Sequence, residues 1–194
     1  MRADIVLAGV GGQGVLTAAT LLAEAGRRAG FTVKQGEIHG MSQRGGAVTA
    51  NLRMARGPVA SDLIPRGRAT MILSLEPVEA LRWLPYLAYS GVVVTSSSPV
   101  ENIPDYPPLS DVLDALARLP HAVVVDADPM AREAGSGHAN NVVMLGAAAG
   151  FLPFPPTLLR DVVGDLFGRR SERLRVVNLR AFDAGQSAAA VPSG

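Results

Sequence analysis

The chain has 194 residues, 48% of them hydrophobic and 18% charged, with a net charge of +1 and no cysteine. Such a length and composition describe one globular domain with its own core, not a disordered, fibrous or membrane-spanning chain. The near-neutral balance gives no electrostatic pull toward nucleic acid or an anionic membrane, and the lack of cysteine excludes disulfides, a thiol nucleophile and cysteine-ligated iron–sulfur clusters within the chain.

Asp4 to Gly9 is a short apolar run ending at glycine, the pattern of a strand buried on both faces. Val15 to Ala29 then places Leu16, Ala19, Leu22, Ala23 and Gly26 on one helical face, with Arg27 and Arg28 in the last turn and Gly30 as the stop. Phe31 to Gln35 reads as a second strand and Gly36 to Gly46 as a polar loop. Ala47 to Met54 alternates like a half-exposed strand. Thr70 to Leu75 is a buried-type strand leading into a helix at Glu76-Pro77, where proline suits the first helical position.

Val92 to Thr95 and Ala122 to Asp126 complete the strands, separated by a Ser/Pro-rich connection over 96–108 and a helix over Leu109 to Leu119. Helices follow over Asn140 to Ala149, Pro156 to Phe167 and Leu174 to Ala184. Gln186 to Gly194 is expected to be a frayed or disordered tail, leaving a domain over 1–185. Strands alternating with helices predict a single α/β domain, a mainly parallel, doubly wound, Rossmann-like sheet with helices on both faces. No run approaches the ~18 apolar residues of a membrane span, and no cleavage pattern follows the N-terminus, so a soluble cytoplasmic protein is expected.

Gly9, Gly11 and Gly14 satisfy Gly-x-Gly-x-x-Gly between a strand and a helix, the context that this fingerprint requires. Two readings stay open: backbone amides approaching a phosphate or carboxylate at a helix N-terminus, or a tight turn with close packing. A dinucleotide fold also wants an acid at the end of the second strand, where Lys34 and Gln35 stand and Glu37 comes late. Gln13 can donate and accept, and so can tie this loop to the next.

The second loop, Glu37 to Gly46, gathers an acid, an imidazole, a hydroxyl, an amide and a guanidinium among glycines. Arg44 suits a carboxylate or phosphate clamp, or an ion pair with Glu37 or a partner subunit. His39 suits acid–base work or a hydrogen bond holding the loop. Elsewhere His121 and His138 are scattered, and neither a nucleophile elbow nor a His-Glu-x-x-His motif occurs. Around His138, capping by Asn140 or a neighbour competes with a ligand role. Asp126 and Asp128 are read as caps of a helix from Pro129 or as ligand contacts. Phe151, Phe154 and the nearby prolines form an apolar cluster suited to core or to a partner patch.

Five motifs carry a resemblance: Gly9 to Gly14, Glu37 to Gly46, Leu75 to Arg82, Asn141 to Ala147 and Asn178 to Gly185. In that order they resemble the gamma-type subunit of the 2-oxoacid:ferredoxin oxidoreductases, and within that family the beta subunit of the indolepyruvate branch. The resemblance implies a share in an enzyme that oxidatively decarboxylates a 2-oxo acid, indolepyruvate or another aryl pyruvate, to an acyl-CoA. It also implies thiamine diphosphate, magnesium, iron–sulfur clusters and coenzyme A held through partner chains, with ferredoxin reached only indirectly.

This chain is then expected to be inactive alone and to dock on a large thiamine- and cluster-bearing subunit; a homodimer in isolation stays open. Gly11, Gly12, Gln13, Gly14, Ser42, Gln43, Arg44, Gly45 and Gly46 are the candidate cofactor-binding residues, with His39 and Arg44 the candidate catalytic side chains. The rival readings are a free-standing NAD(P)- or flavin-binding oxidoreductase and a non-catalytic scaffold.

Overall fold

The computed structural model describes residues 1–39, 46–101 and 103–190, with the Ile38 and His39 side chains outside that description. Six strands form one sheet: β1 (Arg2–Val10), β2 (Thr32–His39), β3 (Ala47–Ala55), β4 (Ala69–Ser74), β5 (Leu87–Ser96) and β6 (Ala122–Val125), in the order β2-β3-β1-β4-β5-β6. The pairs β1/β4, β4/β5 and β5/β6 are parallel, whereas β3 runs antiparallel to both β1 and β2. One reversed strand therefore interrupts an otherwise parallel sheet.

The helices are α1 (Val15–Arg28), α2 (Pro77–Arg82), α3 (Leu109–Ala117), α4 (Ala127–Ala134), α5 (Asn140–Ala148), α6 (Pro156–Gly168) and α7 (Glu172–Ala189). They cover both faces, as the alternation predicts. Ile5, Leu7, Met71, Leu73 and Val94 point to a large core shared with α1, α4, α5, α6 and α7. Val6, Ile72 and Val93 point the other way, to a smaller core with α2 and α3. This two-sided burial is why β1 and β4 read as continuous apolar runs.

α5 is buried along its length from Asn141 to Ala148. α7 lies against it through two glycines: a Cβ on Gly146 would stand 2.0 Å from the Phe182 carbonyl oxygen, and one on Gly185 would stand 1.9 Å from that of Val143. The motifs at Asn141–Ala147 and Asn178–Gly185 thus form one backbone-to-backbone helix contact.

Several boundaries differ from the expectation. β2 continues to His39, four residues past Gln35, because all eight of its residues pair with β3. β3 is buried on both faces, not half-exposed. Its Thr49, Asn51 and Arg53 alternate outward as expected, but the 56–68 segment folds over them, fixed by Arg53 Nη1 donating to the Ser61 and Leu63 carbonyls. Arg53 also meets the buried Asp4 carboxylate at 3.0 Å.

α4 begins at Ala127 with Asp126 at its N-cap position, yet the Asp126 side chain makes no capping hydrogen bond. α7 begins at Glu172, where Ser171 Oγ accepts from the Leu174 amide, and reaches Ala189. The aromatic cluster splits: Phe154 is core, edge-on to Phe31, while Phe151 is exposed.

Candidate functional site

The parallel strands β1 and β4 end side by side, and their carboxyl ends carry the glycine loop and the Leu75-Glu76 turn. The chain turns at Gly12 (φ +102°) and enters α1 through Gly14 (φ +85°), both in the left-handed region where glycine is favoured. Gln13 then reaches back. Its Oε1 accepts the Val10 amide at 2.8 Å and its Nε2 donates to the Leu75 carbonyl at 2.9 Å. Gln13 therefore ties the glycine loop to the end of β4; its expected tie to the second loop falls on residues 40–45, which lie outside the described residues.

Among the described residues, a backbone bond joins the glycine loop to the second loop: the Gly11 amide donates to the Gly46 carbonyl at 2.9 Å. It follows from register, because the β2–β3 hairpin pairs His39 with Val48 while β1 pairs Val10 with Ala47. The hairpin tip thus ends, at Gly46, beside Gly11. With the Gln13 amide given to the Val10 carbonyl, Gly12 and Gly14 are the loop residues whose amides have no partner among the described residues. The first-turn amides of α1 join them, because an α-helix leaves these donors without intrahelical partners. Of the remaining sequence candidates, Ser42, Gln43, Arg44 and Gly45 lie outside the described residues, and His39 is placed by its backbone alone.

A cleft of about 360 Å³ opens at the glycine loop. Gly12, Gly14 and Thr17 form one wall, Asp128, His138 and Asn141 another, and Arg170 at the end of α6 closes a third side. His138 sits in a single 3-10 turn over Gly137–Ala139 that Ser136 caps, its Oγ accepting from the His138 amide. Asn140 starts α5 by accepting the Asn141 amide at 2.8 Å and donating to Asp128 at 3.1 Å. Asn141 Nδ2 donates to the Gly14 carbonyl at 3.3 Å. The site is electrostatically mixed, lined by the N-terminus of α1 and Arg170 as well as by Asp128.

Sequence reasoning passed over two features of this end of the sheet. Asn141 was legible only as part of a motif, and Tyr106 not at all. The Tyr106 hydroxyl donates to Oε1 of the buried Glu76, whose Oε2 accepts the Glu79 amide at 2.7 Å as the α2 cap. Burial, and next the bond to Glu76, push the Tyr106 phenol well above its ordinary value, so it stays a donor. Burial also raises the Glu79 carboxyl; Arg82 at 3.3 Å offsets this and the like charge of Glu76 adds to it. Among the described residues no group of three or more His, Cys, Asp or Glu could hold a metal, and no helix is long and apolar enough to cross a membrane.

Comparison with known proteins matches residues 4–188 to the family model described as pyruvate ferredoxin/flavodoxin oxidoreductase. The chain is 40% identical over 195 residues to indolepyruvate oxidoreductase subunit IorB of Pyrococcus horikoshii, covering 96% of this chain and 95% of that one. In fold it is similar to the gamma subunit of a keto/oxoacid ferredoxin oxidoreductase from Geobacter sulfurreducens, with a TM-score of 0.73, 22% identity and 97% of each chain covered. It is also similar to a 2-oxoglutarate:ferredoxin oxidoreductase from Magnetococcus marinus with 2-oxoglutarate, coenzyme A and succinyl-CoA bound, with a TM-score of 0.77 and 22% identity. There it covers 97% of this chain but spans only 31% of that one.

Proposed function

Because the chain belongs to the pyruvate ferredoxin/flavodoxin oxidoreductase family, we propose that it is the non-cluster subunit of a thiamine-diphosphate-dependent indolepyruvate:ferredoxin oxidoreductase. The carrying observation is the near end-to-end likeness to an indolepyruvate oxidoreductase subunit, 40% identical over 96% of the chain. The reaction is oxidative decarboxylation: the 2-oxo acid loses carbon dioxide, its acyl group passes to the thiol of coenzyme A, and the electron pair leaves through iron–sulfur clusters to ferredoxin. Cysteine-ligated clusters do not fit this chain, which has no cysteine. They, thiamine diphosphate and magnesium belong to a larger partner.

This chain's share is a docking surface made from its two glycine-rich loops, which helps to position coenzyme A. The joined geometry of those loops through Gly11 and Gly46 supports a single surface. The Gly12 and Gly14 amides would face the phosphates of the coenzyme, with Arg44 as a charge clamp and His39, Ser42 and Gln43 as polar neighbours.

The test is co-expression with a large thiamine-binding, ferredoxin-type partner, followed by a CoA-dependent assay of ferredoxin reduction with aryl pyruvates. A stable complex that turns over indolepyruvate is expected. Turnover by this chain alone, or failure to copurify with such a partner, would refute the subunit reading. Arg44→Ala is expected to leave assembly intact and weaken CoA saturation; loss of assembly with unchanged CoA dependence would leave only a scaffold.

A further inference from the structure

The glycine loop is held by carboxamides from two directions, and one of them comes from far along the chain. Gln13 anchors it to the β1 and β4 ends. Asn141, on the first turn of α5, anchors it through the Gly14 carbonyl, 127 residues away in sequence. A glycine at the entrance to a helix populates positive and negative φ about equally, so its own conformation does not fix the loop. Something outside must choose.

Asn141 is 94% buried, with a relative exposure of 6%, in a helix that runs on through the buried apolar residues Val142 to Ala148. Burying a carboxamide there is costly unless its hydrogen bonds are used. Nδ2 meets the Gly14 oxygen and also lies 2.5 Å from where a Cβ on Gly14 would stand. The amide is therefore seated directly against the left-handed glycine. From the other side, Asn140 links the same turn to Asp128 of α4.

We infer that Asn141 is a positioning residue: it holds Gly14 in its left-handed conformation and fixes the glycine-loop wall of the cleft against the wall that carries His138. The first-turn amides of α1 then point into the cleft without rearrangement when a ligand arrives. The positioning stands on geometry alone; only its effect on coenzyme A rests on the proposed function.

Two variants of the full chain test it. Asn141→Asp keeps the shape but turns the donor into a carboxylate oxygen facing the Gly14 carbonyl. Asn141→Ser shortens the side chain without adding charge, and serves if the first variant does not fold. Amide hydrogen exchange at Gly11, Gln13 and Ala18, the hydrogen-bonded amides around this loop, is expected to rise about tenfold in both, the scale of one lost hydrogen bond, while Ile5 to Ala8 in β1 stay protected. In Asn141→Asp alone, acidification that protonates the carboxyl restores an O–H donor and, after correction for intrinsic rates, restores protection. Unchanged exchange at Gly11, Gln13 and Ala18 in the folded variants, or no pH rescue in Asn141→Asp, would overturn the inference.

In the complex with the large subunit, the KM for coenzyme A is expected to rise about tenfold with kcat nearly constant. Altered exchange with an unaltered KM would leave Asn141 as the loop's positioning residue and refute the use of this loop for coenzyme A.

Discussion

Gly185→Ala is the sharpest probe of how the fold holds the site. In an ordinary helix interior this change stabilises by about 1 kcal/mol, since glycine is the poorer helix former. Here the new methyl carbon would stand 1.9 Å from the Val143 carbonyl oxygen, 2.7 Å from its carbon and 3.1 Å from the Ala147 nitrogen. These are backbone atoms of α5, so no rotamer change relieves the contact; α5 and α7 must part by about 1 Å to reach the 3.0 Å that real Cβ atoms respect.

Overpacking of this kind costs about 1–3 kcal/mol, and a backbone obstacle puts it at the upper end. With the propensity gain subtracted, the net loss is about 2 kcal/mol, a fall of roughly 1 M in urea midpoint at an unchanged slope. Gly150→Ala is the control, because nothing lies within 4 Å of its Cβ position. Urea unfolding of the two variants that agreed within about 0.5 kcal/mol, well inside the expected gap, would refute the close helix contact. Since α5 also carries Asn141, Gly185→Ala is further expected to speed exchange in the glycine loop.

The end of β4 yields two more expectations. Burial raises the Glu79 carboxyl above 4.5, so between that value and its higher folded one the native state holds a proton that the unfolded chain has released. Stability therefore falls as pH rises through this window. Glu79→Gln removes the titration, and its urea midpoint should gain on the wild type as pH rises above 4.5; parallel curves would show that Arg82 fully compensates. Tyr106→Phe leaves Oε1 of the buried Glu76 without its donor, and a loss of about 1–3 kcal/mol is expected in the same assay. A negligible loss would mean that water replaces the phenol.

What was legible in the sequence depended on how local its cause was. β1, the turn and α1 could be read because apolar continuity, glycine and a helical stripe are neighbours in the chain. The end of β2 was hidden: Gly36 and Glu37 follow Lys34 and Gln35 with no apolar rhythm, and they are extended because they pair with β3. The start of α7 was hidden behind a charged first turn, although Ser171 with Glu172 beyond it is an N-cap signal that could have been used. In the site, the glycines announced a turn but not its attachments. Gln13 bonds a residue 62 positions away, and Asn141 one 127 away. No spacing rule reaches across such separations.

Those attachments also decide what the fingerprint is for. In a dinucleotide fold the strand beside the glycine strand ends in the acid that reads the ribose, and the crevice between diverging strands receives the ligand. Here antiparallel β3 is inserted between β1 and β2, so the end of β2 lies two strand spacings from β1, about 10 Å away instead of about 5 Å. The residues entering β3 fill the nearer position, where the Gly46 carbonyl takes the Gly11 amide. On the other side, the β1/β4 crevice is spanned by the Gln13 carboxamide. Both places that a dinucleotide would use are thus occupied by the protein itself. Among the described residues, a cleft opens on the side of the loop facing α4, α5 and α6, where Asn141 holds Gly14 and the amides of α1 meet it. The same glycine spacing therefore aims its donors toward the helix layer, where the cleft opens.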